Sequence, residues 1–278
     1  MKRTNPSVII LMYFLACLIS LSMLFPILWM ISSSLKPTKD IFANTLRVIP
    51  KDVTLHAYRT LRTLAGIPFE KYLFNSLYIV CFSVILTVAI TSLAAYAVNR
   101  HPRLPGFQLL EKLFLLSIMY PYMLLMIPIY LIMFRFGLLG TYSGIIIFLC
   151  LGPIQYYLFR EFFAKVPQAV IDSASVDGAS ELNILLRIIL PMAKPVFMTA
   201  ILLTFILNWD NWFPVLIIST SMNTYTLPVA LFNLDSQLEV NFPEIMALST
   251  VVTAPIIVIF LLTQKKVIEG FAVGSVKG

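Results

Sequence analysis

Residues 207–214 read LNWDNWFP, placing Asn208, Trp209, Asp210, Asn211 and Trp212 side by side in an otherwise apolar run. Indole rings offer flat apolar faces, and carboxamides and a carboxylate offer hydrogen bonds, so the group suits a ligand with both ring faces and hydroxyls. The same residues have a plainer use. Trp209 and Trp212 can anchor a helix at a membrane interface, and Asp210 can serve as a helix-packing group. A second group, Tyr120 and Tyr122 around Pro121 with Pro128 beyond, reads as a kinked helix beside a cavity, or as tyrosines that merely pack. His56 and His101 stand alone in expected loops and read as surface residues, and no metal site is expected. Cys17, Cys81 and Cys150 lie inside apolar runs, where cysteine behaves as a small hydrophobe, and no disulfide or zinc spacing is present.

A second polar stretch, DSASVDGASELNILLRIILP, occupies residues 172–191. Pro167 is suited to be the first residue of a short helix in which Val170, Ile171 and Ala174 share a face. Gly178 supplies a left-handed stop after Asp177. Ser180 then caps a second helix, with Leu182, Leu185, Leu186 and Ile189 as its apolar stripe, which Pro191 and Pro195 disrupt. The expected shape is an elbow of two short helices with Ser173, Ala174, Ser175 and Ala179 at the bend, where another surface can approach closely. Such an elbow is either a docking element or a compact connector.

The elements that must position these groups follow from composition. Of the 278 residues, 59% are hydrophobic and 12% charged; the mean hydropathy is +0.91. A soluble domain carries about 25% charged residues. Six windows are long and apolar enough to cross a bilayer, about 8–31, 72–98, 107–134, 142–163, 196–219 and 245–263. The fold class expected is an all-α polytopic membrane protein forming one transmembrane domain over 1–278. The first window is too long for a signal-peptide core, lacks a following small-residue cleavage site, and reads as an uncleaved span. Six spans place both termini on one side. With that side cytoplasmic, it gathers twelve Lys and Arg, Lys2, Arg3 and Lys277 among them, against eight outside. The positive-inside rule favours this orientation. The elbow, in a loop of about 164–195 between the fourth and fifth spans, is then cytoplasmic. On this topology Asn208 lies roughly 20 Å beyond Pro195, at 1.5 Å per residue. A carboxylate at Asp210 at that depth calls for a cavity or a partner. The net charge of +7 is explained by topology, since no basic stripe or aromatic motif for nucleic acid accompanies it.

Residues 172–191 resemble the EAA loop of ABC importer permeases, in which an E-A-A triplet precedes D-G-A and I-x-L-P. Asp172, Ser173 and Ala174 stand at the triplet, Asp177, Gly178 and Ala179 at the D-G-A, and Ile188, Leu190 and Pro191 at the I-x-L-P. Asp172 replaces the triplet's Glu, one methylene shorter, and Ser173 replaces its first Ala. SSSLKPTKDIF, AAYAVNRHPRLPG, GTYSGIIIF, NWDNWFPVLI and the tail EGFAVGSVKG carry the resemblance along nearly the whole chain, to carbohydrate importer permeases of the maltose and glycerol-phosphate type. The resemblance implies that the elbow is a coupling helix seated on a cytoplasmic ATPase, involving Asp172, Ser173, Ala174, Asp177, Gly178 and Ala179. It also implies a second permease in a hetero-pair, an extracytoplasmic solute-binding protein, a sugar or oligosaccharide as substrate, and a bacterial or archaeal cell membrane as location.

The chain has no G-x-x-x-x-G-K-[ST] phosphate loop, so ATP and Mg are expected on partner ATPase subunits, with no cofactor and no catalytic residue here. The substrate path is expected to draw on Asn208, Trp209, Asp210, Asn211, Trp212, Tyr120 and Tyr122. A permease for a non-sugar solute is the nearest alternative. A secondary transporter would want internal repeats and buried ionisable relays. A membrane enzyme would want paired carboxylates or clustered histidines near a membrane face.

Overall fold

The computed structural model describes residues 6–43, 47–64, 66–235 and 241–275. Lys2, Arg3 and Lys277, used above for orientation, lie outside the described residues, as do the last three positions of the tail motif. The chain is predominantly helical and divides into two units, Met1–Glu70 with Ala230–Ala254, and Lys71–Val229 with Pro255–Gly278.

In the first unit the helix Pro6–Ser33 is apolar on every side and exposes Ile10, Tyr13 and Met23, as a helix surrounded by lipid would. It ends in a polar knot. Ser32, Ser33, Ser34 and Lys36 are buried, Ser34 Oγ donates to Ile31 O at 2.6 Å, and it shares a 2.8 Å hydrogen bond with the Tyr58 hydroxyl. Lys36 Nζ donates to Arg47 O; burial, and then the Arg47 charge, lower its pKa. A small antiparallel pair sets Thr63 opposite Pro68 and Leu64 opposite Ile67. His56, expected in a loop, is exposed but begins the short helix His56–Thr60.

The second unit is organised along the helix Phe69–Arg100. Its buried stripe, Asn75, Ser76, Ile79, Val80, Ser83, Thr87 and Thr91, recurs at three- and four-residue spacing. Small and hydroxylated residues on a buried face let helices approach closely in lipid and bond across. Asn75 Nδ2 donates to Asn223 O at 2.9 Å and Tyr225 O at 2.8 Å, while its Oδ1 accepts from the Tyr142 hydroxyl at 2.7 Å. Beside it Ile79 packs with Ile145, Leu149, Val215, Ile218 and Val229.

Three helices are long and apolar enough to cross a membrane by themselves: Pro6–Ser33, Phe69–Arg100 and Phe242–Gln264, the last being the apolar part of Phe242–Ser275. The count rises to six when three bent pairs are each taken as one span. The third expected span, a kinked helix in sequence, is fully broken: Phe107–Met119 and Tyr122–Arg135 meet at 105°. Tyr120 takes extended backbone, φ −89° and ψ 127°, as the residue before Pro121 must. The fourth expected span is occupied by Tyr142–Leu149 and Pro153–Phe163, bent by 44°. In the fifth expected window the helix Lys194–Trp209 ends at Asp210 and a second, Trp212–Ile218, follows. Short side chains that compete for backbone hydrogen bonds, Asp210 and Asn211, stand at that break.

The stretch before the fifth span is two helices, Gln168–Val176 and Glu181–Met192, the latter meeting Lys194–Trp209 at 79°. Two details differ from expectation. Pro167 is the capping residue, one position before the helix. The second helix passes through a π-helical segment, Leu185–Ile189, whose wider turn shifts the apolar face. Ile184, Leu185 and Ile189 are buried, while Leu182 and Leu186 are exposed.

Candidate functional site

The breaks in the fourth and fifth spans border a cavity of about 440 Å³. Pro153 has no N–H, so the carbonyl of Leu149, four residues earlier, loses its helical donor. Asn208 Nδ2 donates to that carbonyl at 3.2 Å and to Ser83 Oγ at 2.9 Å; Thr87 Oγ1 donates to the same carbonyl at 3.4 Å. Asn208 thus lines the cavity and staples a broken helix at once.

Asp210, Asn211, Trp212 and Tyr122 line the same cavity. Trp209 and Tyr120 do not: Trp209 is 2% exposed and stacked on Phe205 at 5.3 Å, and Tyr120 lies exposed elsewhere. Within the first helix Trp209 packs inward beside Asn208, and the break at Asp210 and Asn211 brings Trp212, on the next helix, to the cavity. Sequence reasoning missed Gln155, which also lines the cavity and is 3% exposed. Its signal was a glutamine following Gly152 and Pro153 inside an apolar run.

The second candidate region is the pair of helices around Gly178. Gly178 has φ +81°, its N–H donates to Ser175 O at 3.1 Å, and the Ala179 N–H reaches back to Ala174 O at 3.0 Å. This Schellman arrangement ends the first helix and needs a left-handed residue. Ser180 Oγ then accepts from the Asn183 N–H at 3.4 Å. Ile171 and Ala174 face inward, while Asp172, Ser173, Asp177 and Gly178 are exposed and Val176 is 87% exposed. Asp172 accepts from Gln168 Nε2 at 2.8 Å, and Ser173 Oγ donates to Ala169 O at 2.7 Å.

Two ionic latches at this end of the unit were not foreseen. Arg100 donates through Nη2 to Glu181 Oε1 at 2.7 Å and through Nε to Oε2 at 3.2 Å, and the Tyr96 hydroxyl adds 2.9 Å to Oε2. The Arg100 hydrogen bonds hold the Glu181 carboxyl below its ordinary pKa. Arg160 Nε donates to Glu111 Oε1 at 2.9 Å and Nη1 to Asn99 Oδ1 at 3.1 Å, while Asn99 Nδ2 reaches Phe163 O at 3.1 Å. In sequence, Arg100 and Arg160 count only among the twelve Lys and Arg of the expected cytoplasmic side. A glutamate directly after the capping Ser180 was the available hint.

Broken apolar helices around a cavity whose mainly apolar wall carries a few polar groups match a multi-pass transport permease. The chain belongs to the family of binding-protein-dependent transport system inner membrane components, whose model matches residues 87–269. The arabinooligosaccharides transport system permease protein AraQ of Bacillus subtilis is 32% identical over 94% of this chain and 93% of its own. The trehalose transport system permease protein SugB of Mycobacterium tuberculosis is 34% identical over 92% of this chain and 93% of its own. Among solved structures, a bacterial ABC transporter involved in the import of the acidic polysaccharide alginate superposes with a TM-score of 0.82. It covers 95% of this chain and 98% of that one at 24% identity, a likeness of fold.

Proposed function

We propose that this chain is one of two permease subunits of an ATP-driven importer for a sugar or oligosaccharide, working by alternating access. It takes substrate from an extracytoplasmic binding protein and passes it along the cavity at Asn208, Asp210, Asn211, Trp212 and Tyr122. In this reading there are six spans, the third and fourth each a bent helix pair and the fifth running through Lys194–Trp209 and Trp212–Ile218, and both termini are cytoplasmic. The helices around Gly178 form the coupling elbow, with Asp172, Ser173, Ala174, Asp177, Gly178 and Ala179 on or beside the ATPase. ATP and Mg belong to that partner.

What carries the sugar reading is that relatives about one-third identical over more than nine-tenths of the chain are named as permeases for oligosaccharides and disaccharides. The elbow reading is supported by its exposed acidic and small residues, held on a rigid Schellman turn. The test is uptake by cells deleted for this chain and complemented with it, over a panel of labelled neutral and acidic saccharides. Saccharide uptake that requires both the chain and a functional partner ATPase is the expected result. Uptake driven by an ion gradient in vesicles holding this chain alone would overturn the reading.

A further inference from the structure

We propose that Gln155 and the N-terminus of the helix Pro153–Phe163 form a substrate-binding subsite that selects a neutral, hydroxyl-rich solute. The proposal rests on the reading of this cavity as the substrate path, and names a further residue and a chemical class within it.

Gln155 is 3% exposed and lines the cavity wall, yet no described residue makes a hydrogen bond to its carboxamide. By contrast the buried amide of Asn75 bonds three groups, and on the same cavity the Asn208 Nδ2 donates to Ser83 and Leu149. The amide opens onto the cavity rather than onto a protein partner, so its hydrogen-bonding capacity is available to a solute there. The carboxamide can both donate and accept, which matches a hydroxyl.

The backbone beside it points the same way. Gly152, the capping residue, offers no side-chain oxygen to the first helical N–H groups, which leaves the donors of Ile154 and Gln155 at the cavity wall uncapped. Gly152 also clears the space. A Cβ there would collide with the Thr87 methyl and stand 2.8 Å from Gln155 Oε1. The side chain therefore sits where it does because residue 152 has none.

Charge sets the class. The cavity lining holds one carboxylate, Asp210, and no lysine, arginine or histidine. A carboxylate within a membrane cavity repels an anionic solute and accepts from hydroxyls. A neutral saccharide satisfies the donors of the helix terminus, the carboxamide of Gln155 and the acceptor at Asp210 together. The volume of about 440 Å³ lies within the range of small-ligand sites.

The test uses the complete transporter in cells, with labelled trehalose and arabinobiose as neutral probes and a labelled uronate disaccharide as the acidic one. Wild type is expected to take up a neutral probe and not the acidic one. Gln155→Leu is expected to lower the maximal uptake rate about tenfold, the scale of one lost hydrogen bond to substrate, at an unchanged amount of assembled complex. Gln155→Asn, a shorter amide, should recover part of the rate. Full uptake in Gln155→Leu would remove Gln155 from the path and leave the importer reading standing. Uptake of the uronate probe in preference to the neutral ones would overturn the class. Failure of wild type to move any saccharide would overturn the sugar reading and this inference with it.

Discussion

Arg100 closes the helix Phe69–Arg100, Glu181 opens the helix Glu181–Met192, and the two are joined by a pair of hydrogen bonds at 2.7 and 3.2 Å. The last turn of one membrane helix is thereby tied to the segment we read as the coupling elbow. A two-point guanidinium–carboxylate contact fixes orientation as well as distance. The Glu181 side chain is half exposed, so the contact matters more as a mechanical link than as a source of stability.

Breaking that link should therefore uncouple rather than unfold. Glu181→Gln and Arg100→Ala are each expected to reduce uptake per assembled complex several-fold while leaving membrane insertion and ATPase retention near wild type. The swap Arg100→Glu with Glu181→Arg should restore part of the uptake. Uptake measured beside co-purified ATPase decides it, and wild-type uptake in both single variants would remove the latch from the mechanism.

The sign of the pH dependence follows from the depressed Glu181 pKa. A carboxyl whose folded value is lowered contributes stabilisation that is fully present above its ordinary value of 4.5 and is lost as pH falls through the folded value. The latch should stay closed from neutral pH down to that value and release only below it. Uptake per assembled complex, followed as pH falls, should thus drop in wild type below that value, and the same drop should be missing in Arg100→Ala, which has no latch to release.

Gly178 turns the elbow at φ +81°, and a Cβ there would touch nothing within 4 Å. The cost of Gly178→Val is consequently a backbone cost, about 1–2 kcal/mol for a left-handed β-branched residue. The chain should still insert, but the turn and the exposed surface around Asp177 would move. Loss of ATPase from the membrane, or of its stimulation by loaded binding protein, is expected for Gly178→Val and Asp177→Lys. Asn183→Ala should be milder, because Ser180 bonds the backbone N–H of that residue and not its side chain. Normal uptake and normal ATPase retention in Gly178→Val would reduce the elbow to a connector.

Asp210 lies at the end of a helix, exposed to the cavity. Asp210→Asn keeps the shape and removes the charge, so transport should fall while assembly holds. A drop in assembled complex at unchanged transport per complex would show that the carboxylate is structural.

The chain purified alone should show no substrate-stimulated ATP hydrolysis, because it carries no phosphate loop. Reconstitution with its ATPase, second permease and binding protein should restore it. Stimulated hydrolysis by the lone subunit would contradict the division of labour proposed here.

Local chemistry was legible in the residues. Apolar length marked Pro6–Ser33, Phe69–Arg100 and Phe242–Gln264 as helices able to cross a membrane, because the length and composition of such a helix lie within one stretch of chain. Gly178 announced its left-handed turn and Ser180 its cap, because both are satisfied within a few residues of chain. Pro121 announced a disturbance, but not its size: a proline removes one N–H and restricts its neighbour, and only the surrounding packing decides between a kink and a 105° break.

What the tertiary structure decided is which polar groups meet. Trp209 and Trp212 are alike in sequence, yet one is buried on Phe205 and the other lines the cavity. Asn208 gained a second role only because Pro153, 55 positions earlier, orphans a carbonyl that folding brings to its side. Gln155 carried only the faint signal of a glutamine after Gly152 and Pro153. Its meaning is an absence of partners, and a missing hydrogen bond can be read only once every neighbour has been placed. The link between Arg100 and Glu181 spans 81 residues for the same reason. Sequence specifies the charges, but the distance between them belongs to the fold.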